Sequence, residues 1–190
     1  MKYPKHVEKA EKLMKKQTQK NKSPAWQLTR IAVCKGSELA KRHGVDESIV
    51  LISLYLSHCV FSPVWKGKVQ KNHMKLSADF AKAYIKKWKI DEEDKKIILD
   101  SIAKHHDKNF KEKTAEIVRN AKCFKFVTVK GALVFLHELG RRKENYDNAV
   151  MMVLKKARQK QRLLSIPDCI KEGNRNVEEI RKMFASDNIK

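Results

Sequence analysis

Glycine and proline are scarce in this chain, six and four among 190 residues. That is too few for the many tight turns of a sandwich or barrel. No apolar run approaches the ~20 residues that a membrane-spanning helix needs. The N-terminal stretch MKYPKHVEKAEKLMKKQ is basic but lacks the continuous apolar segment of a secretory signal. These absences predict a cytoplasmic protein with no transmembrane segment. The four cysteines, Cys34, Cys59, Cys123 and Cys169, include no CxxC pair. Three of them read as buried thiols in a reducing compartment. Cys59 stands apart because of its neighbours.

Carboxylates are also missing locally. Ser48–Ala78 and Ile117–His137 contain no Asp or Glu, in a chain that has 22 acidic residues. The first run includes Ser57–Ala78, where two histidines, one cysteine and four lysines occur together. The second carries Arg119, Lys122, Lys125 and Lys130. From Met151 to Leu163 there are five basic residues and no acid. A net charge of +21 exceeds what solubility requires and points to a polyanionic partner, nucleic acid or a phosphorylated small molecule.

What is present is helical periodicity. Val7, Ala10, Leu13 and Met14 recur at helical spacing within residues 1–22, a basic N-terminal helix with eight lysines and two glutamates. Residues 23–190 read as one helical domain with basic C-terminal helices. Trp26–Arg42 is predicted as a helix ending before Gly44, and Asp46 as the cap of a nearly all-apolar helix that stops near Cys59. Asn72–Lys87 follows, and then a helix opened by Asp91-Glu92-Glu93-Asp94, whose inward stripe runs through Ile102 to His105. Thr114–Phe126, Tyr146–Leu163 and a short Val177–Phe184 complete the prediction, with Val127–Leu139 too β-branched at its start to assign. The fold class is all-α, a helical bundle.

The runs WQLTRI, KRHGVDESIVLISLYLSHCVFSP, NHMKLSADFAKAYIKKWKIDEED, SIAKHHDK and AEIVRNAKCFKF occur in that order. Together they resemble the HD-domain phosphohydrolase superfamily, in particular its small nucleotide-acting members. The resemblance spans about 23–184 and implies an HD-domain-like helical bundle. In that family histidines and two aspartates hold one or two divalent metals, which activate water and neutralise charge on the phosphate. Gln27 stands at the opening histidine position, His58-Cys59 at the His-Asp pair, and Lys122 at the late aspartate. His58, His73 and one of His105 or His106 still match.

Losing both aspartates removes the hard oxygen ligands of such a centre. One reading is a catalytically altered protein that binds a phosphorylated ligand, nucleic acid or nucleotide, through Gln27, His58, His73, His105, His106 and Lys122, without a cofactor. A second is a metal-dependent phosphohydrolase in which His58, Cys59, His73 and His105 or His106 hold a divalent ion such as zinc, with Asp107 as a substitute carboxylate. A third is a non-catalytic structural or protein-interaction domain. Nucleic-acid contacts are expected from Trp65, Lys66, Lys68, Lys71 and Lys75, and from a helix face made of Lys155, Lys156, Arg158, Lys160 and Arg162.

Overall fold

The structure is a computed structural model, and it describes residues 1–21, 24–57, 59–60, 73–104 and 109–185. Its elements are α1 (Pro4–Asn21), α2 (Trp26–Arg42), α3 (Glu47–Leu56), α4 (His73–Ile85), α5 (Glu92–Ala103), α6 (Lys113–Phe124), α7 (Val129–Gly140), α8 (Tyr146–Gln161) and α9 (Pro167–Ala185). The described residues are all-α, as the shortage of turn formers predicts, and no described helix is long and apolar enough to cross a membrane.

The bundle is centred on α3. Every residue from Ser48 to Leu56 is buried, and α1, α2, α5 and α6 pack around it. Asp46 caps this helix as its sequence position predicts, accepting hydrogen bonds from the Ser48 and Ile49 amides at 2.8 and 3.4 Å. The serines buried within it are satisfied locally: Ser53 Oγ donates to the Ile49 carbonyl and Ser57 Oγ to that of Leu54. The polar atoms of a core helix thus leave no unpaired group to oppose burial.

The basic N-terminal helix is seated in this core through Val7, Ala10 and Met14. Residues ahead of it form a polar clasp. The Tyr3 amide donates to Ser48 Oγ at 2.9 Å, and its hydroxyl to Asp94 Oδ2 at 2.6 Å. Lys2 Nζ reaches Asp91 and Asp94 at 2.6 and 2.8 Å. The acidic first turn of α5 therefore faces its own helix dipole and the start of the chain together.

One unassigned segment is settled and one predicted boundary moves. Thr128 caps α7 by accepting from the Gly131 amide at 3.0 Å, which places the β-branched Val127 before the helix rather than in it. The last helix starts ten residues earlier than Val177. Pro167 opens it, Asp168 lies in its first turn, and Gly173 sits within it, buried against the Leu164 side chain. A Cβ at Gly173 would lie 2.5 Å from Leu164 Cδ1. With α9 extended, α7, α8 and α9 enclose a second apolar cluster of Ala132, Leu139, Ala149, Val153, Ala157, Ile180 and Phe184. The main cluster reaches α6 through Ile117, Val118, Ala121, Cys123 and Phe124. Val177, on α9, packs against both clusters.

Candidate anion-binding site

Arg119, Lys122 and Lys125 recur every three residues and so fall on one side of α6. All three are buried, with Lys122 at 7% and Lys125 at 3% exposure. Lys125 is the C-terminal cap of α6. The first turn of α7 presses on it, since a Cβ at Gly131 would collide with the Lys125 carbonyl oxygen. The cap position is thereby held against a rigid neighbour.

Across from α6, the basic residues of α8 divide into two sets. Successive residues of a helix are about 100° apart, so Lys156 and Lys160 share one side, while Lys155, Arg158 and Arg162 share another. Lys160 is buried at 9% and Lys156 is half-buried, whereas Lys155, Arg158 and Arg162 are exposed. The single basic face expected from the sequence is therefore two faces with different surroundings.

The inward set joins the lysines of α6. Lys125 Nζ and Lys156 Nζ lie 5.1 and 5.4 Å from the centroid of the same Phe126 ring, which Phe135 braces edge-on at 5.5 Å. Burial, followed by repulsion from Lys160 and Lys156, lowers the Lys125 amine from 10.5 to about 7. Burial, followed by Lys125 and Lys160, drives Lys122 well below its ordinary range. Burial and then Lys160 lower Lys156. Among the described residues, Lys125, Lys156 and Lys160 form no ion pair with a carboxylate. Lys35 is a useful contrast at 6% exposure. Burial pulls its pKa down, but Glu172 at 2.7 Å and Glu38 at 3.0 Å outweigh that, and the net shift is upward.

The outward set lines a groove of about 410 Å³ between α8 and α9, formed by Arg158, Gln161, Arg162, Asn174, Val177, Glu178 and Arg181. Gln161 Nε2 donates to Asn174 Oδ1 at 2.9 Å across it. Arg181 grips Glu178 with two hydrogen bonds, at 3.0 and 2.9 Å. Arg158 and Arg162 form no close ion pair with a carboxylate among the described residues, although Arg158 is near enough to Glu178 to help lower its pKa. Asn174 escaped the sequence reading because α9 was taken to begin at Val177, and Arg181, inside the predicted helix, was not singled out because its groove partners lie on α8 and on the unpredicted first half of α9. The spacing of seven residues between Asn174 and Arg181 puts them on one face once the helix is extended.

The other predicted site residues are not gathered in one place. His58, Trp65, Lys66, Lys68, Lys71, His105, His106 and Asp107 lie outside the described residues, as does the side chain of His73 at the start of α4. Lys75 is exposed on α4. Gln27 is exposed and lines a cavity of about 290 Å³ with Arg30, Cys34, Lys35 and Lys130, a lining that does not include Lys122. Cys59 requires a correction. Its thiol is fully buried in the core, donates to the Tyr55 carbonyl at 3.5 Å and sits 3.9 Å from Met14 Sδ. Burial pushes it up to about 12, which marks a thiol that faces the core rather than a charged pocket. Cys34, expected in the core, is exposed, while Cys123 and Cys169 are buried. Among the described residues no group of three His, Cys, Asp or Glu side chains is placed to hold a metal ion.

In comparisons with known proteins, no family model, no curated protein and no solved structure matches the chain. Any functional conclusion therefore rests on the placement of charge. Two carboxylate-free stretches, distant in sequence, meet where α6 packs on α8.

Proposed function

We propose that this protein binds nucleic acid through the exposed face of α8 and the groove between α8 and α9. The observation that carries the reading is the pair Arg158 and Arg162, set beside Arg181 in a groove with amide side chains and a single carboxylate. Guanidinium groups match phosphate oxygens bidentately, and Gln161 and Asn174 add neutral donors and acceptors. Lys155 continues the stripe, so that Lys155, Arg158 and Arg162 extend over ~10 Å of helix. The exposed Met151, at 61%, begins the same face and offers an apolar contact to a base. The resemblance to HD-domain phosphohydrolases supports the same ligand class. The resemblance aligns Gln27, Cys59 and Lys122 with metal-ligand positions of that family, and a phosphate-directed chain lacking those ligands would keep its ligand without hydrolysing it.

Fluorescence anisotropy with a single-stranded RNA and a DNA duplex tests this. Three phosphate contacts predict a log–log salt slope near −2.7 on duplex DNA, a loss of about 40-fold between 50 and 200 mM salt. Replacing both Arg158 and Arg162 by Ala should make the slope shallower by about 2. Absence of binding at 50 mM salt, or binding indifferent to salt, would refute the reading.

A further inference from the structure

The lysines between α6 and α8 pose a separate problem from the groove. Lys125, Lys156 and Lys160 repel one another electrostatically and have no carboxylate partner among the described residues. Among the described residues, the charged groups on neighbouring elements do not compensate. On α6 the nearby side chains are Arg119 and Lys122, neither of them an anion, and Cys123, whose thiol burial holds up. On α7 the buried Glu138 is engaged by Arg141 at 3.0 Å, and on α2 Lys35 is held by Glu38 and Glu172. The C-terminal ends of α6 and α8 supply about half a negative charge each, less than the ammonium groups they face. A buried cationic cluster of this kind either sheds protons or takes in an anion.

We infer that Lys125, Lys156 and Lys160 form an enclosed site for a compact tetrahedral oxyanion, either inorganic phosphate or the terminal phosphate of a phosphomonoester. Each ammonium brings three donors and no acceptor, which suits a dianion with several exposed oxygens. A phosphodiester fits poorly. It carries one charge and two ester arms, and residues 3 to 9% exposed leave no path for a chain leaving in both directions. A phosphomonoester has one arm, which can leave past the half-buried Lys156. Phe126 walls the site on the α6 side, carrying two of the three ammonium groups over its ring. This site goes beyond the groove, uses different residues and can fail independently of it.

The test is thermal unfolding of the full chain at pH 7 in inorganic phosphate against chloride of matched ionic strength, for the wild type and for Lys125→Met, Lys160→Met and the Arg158→Ala/Arg162→Ala pair. At 100 times its dissociation constant, phosphate should raise the wild-type midpoint by about 5–10 °C. The arginine pair should respond equally, and each lysine variant should lose most of the response. A 5′-phosphorylated oligonucleotide bound more tightly than its 5′-hydroxyl form identifies the monoester as coming from nucleic acid; equal binding of the two, with phosphate still stabilising, identifies a free anion. A wild-type midpoint no higher in phosphate than in chloride, with no preference for the 5′-phosphate, overturns the site. So does a phosphate response that both lysine variants retain.

Discussion

Replacing Lys125 by Met should stabilise the ligand-free protein at neutral pH, and the gain should fade as pH rises. The amine titrates near 10.5 in the unfolded chain and about 7 in the folded one. Because the folded value is the lower, the unfolded chain holds more protons between those limits, and wild-type stability rises with pH through the window. Below about pH 7 both states are protonated and the penalty is constant. A full proton difference is worth about 1.36 kcal/mol per pH unit. From pH 7, where the folded amine is half protonated, to pH 9, where it is neutral, the wild type should gain about 2 kcal/mol from this group alone. Methionine keeps the unbranched stem against Phe126 and has no charge to bury. Urea unfolding of both proteins at pH 7 and 9, without phosphate, isolates the effect. Titrations of distant groups, including those of a surface with net charge +21, act on both proteins alike, while Lys122, which Lys125 helps to depress, keeps its burial as the larger cause in both. The stability difference between variant and wild type should narrow by about 2 kcal/mol, or roughly 4–8 °C in midpoint. Parallel pH dependences, or a variant less stable than the wild type at pH 7, would show that Lys125 does not carry a buried charge.

Other consequences are accessible to simple measurements. With an alkylating reagent at pH 8, Cys34 should react quickly in the native protein, while Cys59, Cys123 and Cys169, buried and with raised pKa values, should react only on unfolding; fast modification of two or more thiols contradicts the packing. Gly173→Ala sets a clash with Leu164 Cδ1 that costs about 1–3 kcal/mol against a gain of about 1 kcal/mol in helix propensity, and Leu164→Ala in the same chain should remove the clash and keep the gain, a coupling that chemical denaturation of the double-mutant cycle measures. Asp46→Ala removes the cap of α3 and should cost about 1 kcal/mol. Asp46 is pulled upward by burial, but hydrogen bonds from Ser48, Lys2 and Ile49 dominate and its pKa is lowered. Its contribution is therefore present at neutral pH and lost as acid carries the pH down through the folded value, and an acid titration of stability should show a smaller loss in the variant.

The parts of the fold legible in the sequence are those governed by local chemistry. Trp26–Arg42 is bounded by Gly44, which adopts φ 65°, and Asp46 caps the next helix, so each end has a residue whose own conformational preference marks it. The start of α9 was not legible. Gly173 favours a break when read alone, and inside the helix it lies buried against Leu164. The charge pattern was half legible. Lys122 and Lys125 stood out as cations in a stretch without acids, and so did the basic residues of α8. That Lys156 and Lys160 turn toward Lys125 while Arg158 and Arg162 turn away follows from helix geometry. Which side meets α6 depends on tertiary packing, which periodicity does not encode. Cys59 stood apart in the sequence because His58 precedes it and lysines follow a few residues on, whereas its neighbours in space are Met14 and Tyr55.

The lysine layer also divides the molecule mechanically. The apolar cluster around α3 and the smaller one within α7, α8 and α9 are distinct, with Val177 packed against both, and the like-charged lysines lie where α6 and α8 pack between them. Cooperativity between the two should be weakest there, and amide exchange should reveal the C-terminal three helices opening together at a lower free energy than the backbone of α3. An anion held among those lysines would draw the two units into one exchange-protected body, making ligand occupancy readable in backbone amides far from any phosphate.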